Sequence, residues 1–363
     1  MSPQPPLRFA KDDAALRLAL DSAAESWLAG RDDHRFADLG MHLKMWLLIV
    51  IAIAGYAAAL AQDTVFGFFV AYLVFTNAGM LLAINVVHDA SHSTFLRTPA
   101  ANRLLSRIVS IPLGMDPECW RVRHVLFHHP HVNVQGHDLD IEENGVLRQT
   151  PFQRWKGFMR WQRFYWPLVA AMTFPWIVWV FDWQDRIGLT PVGEHMTPQG
   201  WRGWAAFLGS KAAHVALTMG LPLFVAGEQI GMGAILITYF LCQTTASLVF
   251  VLLILGTHWA KGRFYRPPAD GCLPHGRWEH QFTTTFDWHT TPSWLAYWLG
   301  GMNMHLTHHV FPGWSHRHYP ALGRIVAQVA ADHDLDHATT GFRGLVSGQQ
   351  HFLARLGRGE CTE

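Results

Sequence analysis

Long apolar stretches alternate with polar regions along this chain, and their spacing predicts its architecture. Five stretches of about 15 to 28 residues carry no Asp, Glu, Lys or Arg, and a helix of about 20 such residues crosses a bilayer core. The first two, Met45 to Ala61 and Val65 to Val87, are separated only by Gln62, Asp63 and Thr64, which predicts a tight helical hairpin. Trp204 to Ala226, with Lys211 near its start, and Ile230 to Thr257 predict a second hairpin around Gly227, Glu228 and Gln229. The remaining stretch, Phe164 to Phe181, holds Pro167, Pro175, Tyr165, Trp166, Trp176 and Trp179, a composition typical of the headgroup layer. It is expected to lie at the interface, because a fifth crossing would put the histidines after the second and last spans on opposite faces.

The predicted fold is therefore all-α and membrane-integral, with four transmembrane helices in two hairpins, interfacial helices and a cytosolic histidine-rich cap. Three regions are expected: a cytosolic N-terminal segment over 1–44, a membrane and catalytic domain over 45–325, and a cytosolic tail over 326–363. An amphipathic helix is predicted near Tyr319 to Ala331. Neither short turn carries Lys or Arg, whereas Asp89 to Arg163 carries ten and residues 1–44 carry six. By the positive-inside rule the histidine-rich side is cytosolic. No basic stub leads into an apolar core near the start, so no removable leader is expected.

Half of the 363 residues are apolar and 15% are charged, which excludes disorder. A formal charge of +1 offers nucleic acid no electrostatic footprint. Four cysteines, Cys119, Cys242, Cys272 and Cys361, form no CxxC pair, so neither a thiolate metal site nor a disulfide framework is expected. Histidine is the outlier, with 23 copies. Three clusters stand out: His88 with His92; His124, His128 and His129; and His305, His308 and His309. Residues three or four apart share a helix face, so each cluster can aim at least two imidazoles at one point. The third member, His129 or His309, falls about 100° round the helix, which suits a second metal. Val65 to His92 and Gly231 to His258 each span 28 residues, about 42 Å of helix against about 30 Å of hydrocarbon. Both helices should lift their terminal histidines above the membrane surface. His34, His42, His195, His275, His333, His337 and His351 have no clustered partner and read as surface or structural residues, while His214, inside a span, reads as an interhelical hydrogen-bonder.

At these residues the sequence resembles the membrane fatty acid desaturase superfamily, marked by three histidine boxes of HxxxH, HxxHH or HxxxHH, and HxxHH type. The likeness extends to the surroundings: His88-Asp89-Ala90-Ser91-His92 after a long span, His128-His129-Pro130-His131-Val132-Asn133 running on to Gly136-His137-Asp138-Leu139-Asp140, and Asn303 to Pro312 around the third box. It covers roughly residues 45 to 325. The resemblance implies two iron ions held by His88, His92, His124, His128, His129, His305, His308 and His309, with His258 as a ninth ligand. It also implies O₂ as co-substrate and attack on an unactivated C–H bond of a fatty acid or acyl chain. Relatives sometimes add a polar residue four before the last ligand, where this chain has Ile254. Nine imidazoles exceed a lone zinc site and are without the carboxylates of soluble di-iron bundles. Asp89, Asp138, Asp140 and Asp287 are the nearby acids for fixing ligand tautomers.

A site at the membrane surface is reached by amphiphiles with their tails in a tunnel, which Trp120, Trp259 and Trp288 are placed to line or, alternatively, anchor at the interface. Arg121, Arg123, Lys261, Arg263 and Arg266 read as a headgroup cradle or, more simply, as topology determinants. Desaturation is the leading outcome. Hydroxylation and oxidative decarboxylation of a free fatty acid to a terminal alkene share the same oxidant. A histidine-rich metal transporter would need ligands at mid-bilayer, whereas all three clusters fall outside the charge-free spans; a zinc-dependent membrane hydroxylase or hydrolase remains separable by metal content. No dinucleotide fingerprint, haem domain or cysteine set for a cluster is visible, so electrons are expected from an external ferredoxin, rubredoxin or cytochrome with its reductase.

Overall fold

The computed structural model describes residues 7–254 and 256–360; Cys361 lies outside them. Among the described residues, four helices are long and apolar enough to cross a membrane: Leu39–Leu60, Val65–Ser91, Gly200–Ile230 and Met232–Trp259. The aromatic stretch is broken into Gly157–Ala171 and Thr173–Arg186, bent by 59° at Met172. Strand is confined among the described residues to two short parallel pairs, Arg8–Phe9 with Cys272–Leu273 and Asp287–His289 with Thr339–Gly341.

Several boundaries differ from the sequence reading, and two of the differences have a visible cause. The first span begins six residues early, because Asp38 caps it by accepting from the Met41 amide at 2.9 Å and Lys44 is buried within it. Gly227, Glu228 and Gln229 are helical, and the second hairpin turns instead at Gly231, whose φ of +85° ends the helix in a conformation that favours glycine.

The chain divides into two compact units. One comprises Phe36–Val122 and Pro167–Val251. In it the first two spans approach closely at Gly55, where a Cβ would meet the Phe75 amide and Val74 side chain at 3.0 Å. Its core joins Ala52, Phe68, Tyr72 and Phe75 to Ile230, Ile235 and Cys242. Ile53, Phe66 and Phe224 are exposed, which suits helices solvated by lipid. Lys211 is buried with its ammonium bonded to the Gly114 and Val178 carbonyls and the Asp182 carboxylate at 2.7–2.8 Å. His214 bridges the Ile111 carbonyl and the Tyr239 hydroxyl, the interhelical role expected of it.

The other unit comprises Met1–Arg35, Arg123–Trp166 and Leu252–Glu363. Its core packs the helix Ala14–Ala29, through Leu16, Leu20 and Ala24, with Leu306 and Val310 of the third box and Leu322, Val326 and Val329 of the helix Tyr319–Asp332. The N-terminal segment thus buttresses the third histidine box. Trp288 is buried in a small core with Phe286 and Leu345, and Trp259 packs on Phe352.

Candidate metal centre

The second box lies in a helix of π form over Val122–His128. There the His129 amide bonds the His124 carbonyl at 3.0 Å, five residues back. Positions five apart therefore align, and His124 Nε2 meets His129 Nε2 at 3.2 Å. This corrects the expectation from α-helical spacing, which paired His124 with His128; π turns recur where function places a side chain against the regular pitch. The third box, His305–Val310, is α-helical, so His305 and His309 share one face. Here too the expected division is corrected, since His308, not His309, is the member that turns elsewhere.

Nitrogens of His128, His258, His305 and His309, all buried, lie within 4.8 Å of one another. His258 Nε2 and His305 Nε2 are 2.7 Å apart, and His305 Nε2 and His309 Nε2 are 3.2 Å apart. Ligands at about 2.1 Å from one ion sit about 3.0–3.4 Å from each other, so the donor set fits a bound cation. Beside it, His308 Nε2 approaches His124 Nε2 at 3.4 Å, and the His129 ring stacks on His309 with centroids 4.3 Å apart. In the other unit, His88 and His92 close the second span with ring centroids 5.5 Å apart.

Hydrogen bonds on the far nitrogen fix two of these rings, His128 and His308. Both Asp138 oxygens lie 3.1 Å from His128 Nδ1. Asp138 is itself held by the amides of Asn133 and Asp140 at 2.8 and 2.9 Å. Asn133 adopts φ +57°, a region asparagine tolerates better than most residues, and so turns its amide onto the acid. Burial opposes a charge on His128, but Asp138 and Asp140 outweigh it and lift its pKa to about 9. The pair makes Nε2 a more basic donor. Asp140 Oδ2 approaches the same Nδ1 at 3.5 Å, the side of the ring facing away from the Nε2 donor. His309 is held well below the usual imidazole range, first by burial and then by His129 and its other imidazole neighbours, which keeps its lone pair free for a metal.

Two supporting residues escaped the sequence reading. The Tyr319 hydroxyl lies 2.8 Å from His308 Nδ1, and Thr307 gives its hydroxyl to Asp287 Oδ2 at 2.6 Å and its amide to Oδ1 at 3.2 Å. Asp287 therefore anchors the third box through Thr307. Thr307 sits inside the quoted motif, whereas nothing local marks Tyr319. His275, set aside as unclustered, is buried and meets His280 Nδ1 at 2.6 Å, while His280 Nε2 donates to the Val132 carbonyl at 2.8 Å.

The family model described as fatty acid desaturase matches residues 64–341. The chain belongs to that family. It is similar to the sn-1 linoleoyl-lipid 6-desaturase of Synechocystis sp., 27% identical over 92% of each chain. It is also similar to that of Arthrospira platensis, 25% identical over 76% of this chain and 74% of the relative. The acyl-lipid (8-3)-desaturase of Mortierella alpina is 24% identical over 70% of this chain and 57% of its own. This member of the fatty acid desaturase family is accordingly a membrane protein and an oxidoreductase, with histidine clusters suited to metal binding.

Proposed function

We propose that the chain desaturates the acyl chain of a membrane lipid, using two iron ions, O₂ and an external electron donor at the cytosolic face. The observation that carries this reading is the buried group of His128, His258, His305 and His309, four neutral-capable donors at ligand spacing within a family of desaturases. Relatives named for linoleoyl-lipid and acyl-lipid substrates favour desaturation of a lipid-linked chain over hydroxylation, decarboxylation or metal transport. His128, His258, His305 and His309 would hold one iron; His124, His129 and His308, with His88 and His92 by the box pattern, would hold the other.

When bound, the iron pair would supply the reduction of O₂ and the oxidation of two adjacent C–H bonds. The balance is RCH₂CH₂R + O₂ + 2e⁻ + 2H⁺ → RCH=CHR + 2H₂O. The two added electrons come from a ferredoxin, rubredoxin or cytochrome. The protein's own part is to aim the imidazoles: Asp138 accepts the Nδ1 proton of His128, and Tyr319 accepts that of His308.

The test is product analysis of lipids from membranes supplied with a saturated or less unsaturated acyl lipid, NAD(P)H and a reductase chain, alongside metal analysis of protein made without a metal-affinity tag. A new double bond and about two irons per chain are expected, with Asp138→Asn lowering iron affinity about 10–100-fold while the fold persists. Iron-free, zinc-loaded protein, or oxygenated products in place of alkenes, would overturn the reading.

A further inference from the structure

Between the end of the second span and the helix Pro99–Val109 lies an open recess that the desaturase reading does not use. Arg103, Arg107 and Arg121 line it with Ser91, Ser106 and Glu118. Arg121 grips Glu118 through two bonds of 2.7 and 3.0 Å. Arg107 reaches the Ala206 carbonyl at 3.2 Å and the Ser210 hydroxyl at 3.3 Å and lies 3.6 Å from Asp116. Arg103, one turn earlier on the same helix, is exposed. Three guanidiniums thus face two carboxylates, which leaves one positive charge in excess. The Ser106 hydroxyl beside the recess is buried and meets no hydrogen-bond partner.

Leu104 and Ile108 on this same helix are exposed. A helix that offers leucine and isoleucine on one edge and arginines on another lies in the bilayer interface, with its guanidiniums at the level of lipid phosphates. Guanidinium forks match phosphate oxygens, and a phosphodiester carries the single negative charge that the recess lacks. We propose that this recess holds the headgroup phosphate of a phospholipid. Ser91 directly precedes His92, so the acyl chains of a lipid held here begin beside the first histidine pair. That this lipid is the substrate rests on the function proposed above; that the recess binds a phosphodiester does not.

The test uses full-length protein as purified in an uncharged detergent. It is titrated by calorimetry with dihexanoyl phosphatidylglycerol, with a galactolipid of the same tails, and with inorganic phosphate. Phosphatidylglycerol is expected to bind at least about tenfold more tightly than either, and Arg103→Gln, at an exposed position, to erase that preference. Equal binding of the two lipids, or a preference untouched by Arg103→Gln, overturns the proposal. Inorganic phosphate binding as tightly as the lipid assigns the recess to a free anion and overturns it too. Selective binding without any double bond formed in the product assay would leave the recess standing and remove the desaturase reading; desaturation of both lipid classes without selective binding would do the reverse.

Discussion

A histidine's usefulness to a metal is decided on the nitrogen that does not bind it. Asp138 behind His128 and Tyr319 behind His308 both act there, and His280 extends the same logic one layer out. Its Nε2 hydrogen ties down the Val132 carbonyl, next to the Asn133 turn that holds Asp138. Burial, followed by the neighbouring His275, lowers the His280 pKa to about 3. Its folded-state pKa thus lies below the unfolded value of about 6.5, so the stability it contributes is complete above pH 6.5 and falls as the unfolded chain alone takes up a proton. The loss is about 1.4 kcal/mol per pH unit below that point, or about 2 kcal/mol between pH 7 and pH 5. His280→Gln, which can still donate to Val132, is expected to flatten the pH dependence of the denaturant midpoint by that amount. An unchanged slope would show that other groups set the acid sensitivity.

At the scale of elements, the third box is a six-residue helix, too short to persist by propensity, and is held from outside. Leu306 and Val310 pack on the N-terminal helix, and the buried Asp287 takes two bonds from Thr307. Thr307→Val keeps the volume but removes the hydroxyl donor from a buried carboxylate. It is expected to cost about 1–3 kcal/mol in unfolding free energy, read from the denaturant midpoint, with all ligands present. No shift would mean that the amide bond alone satisfies Asp287. The spans and the three boxes were legible in the sequence because charge-free runs and short histidine spacings are local patterns. The pairing of His124 with His129 was not, because α spacing was assumed where the backbone widens by a residue. Nor was the support from Ala14–Ala29, whose contacts with the third box join residues nearly the whole chain apart. Lys44 hid the start of the first span for a related reason: a lysine marks a boundary by composition, yet this one is buried.

For the whole molecule, the order of segments matters more than any one contact. The unit that contains seven of the nine proposed ligands is assembled from three stretches of chain, with a pair of spans between each stretch and the next. His128 comes from the middle stretch and His258, His305 and His309 from the last, so an ion bound by all four would act as a cross-link between distant parts of the sequence. The unfolded chain has no such preformed site, and binding free energy therefore becomes folding free energy. At a free-iron level of about 100 times the dissociation constant, one site adds about 2.7 kcal/mol. For a unit of this size that raises the melting temperature by roughly 5–10 °C. Chelation is expected to lower the melting temperature of the wild type by at least that margin and to lower that of His309→Ala by less, since the variant has already lost a ligand from one of the two groups. A wild type that gives up its iron without any change in melting temperature would show the four imidazoles to be organised by packing alone, with the metal contributing chemistry and no stability.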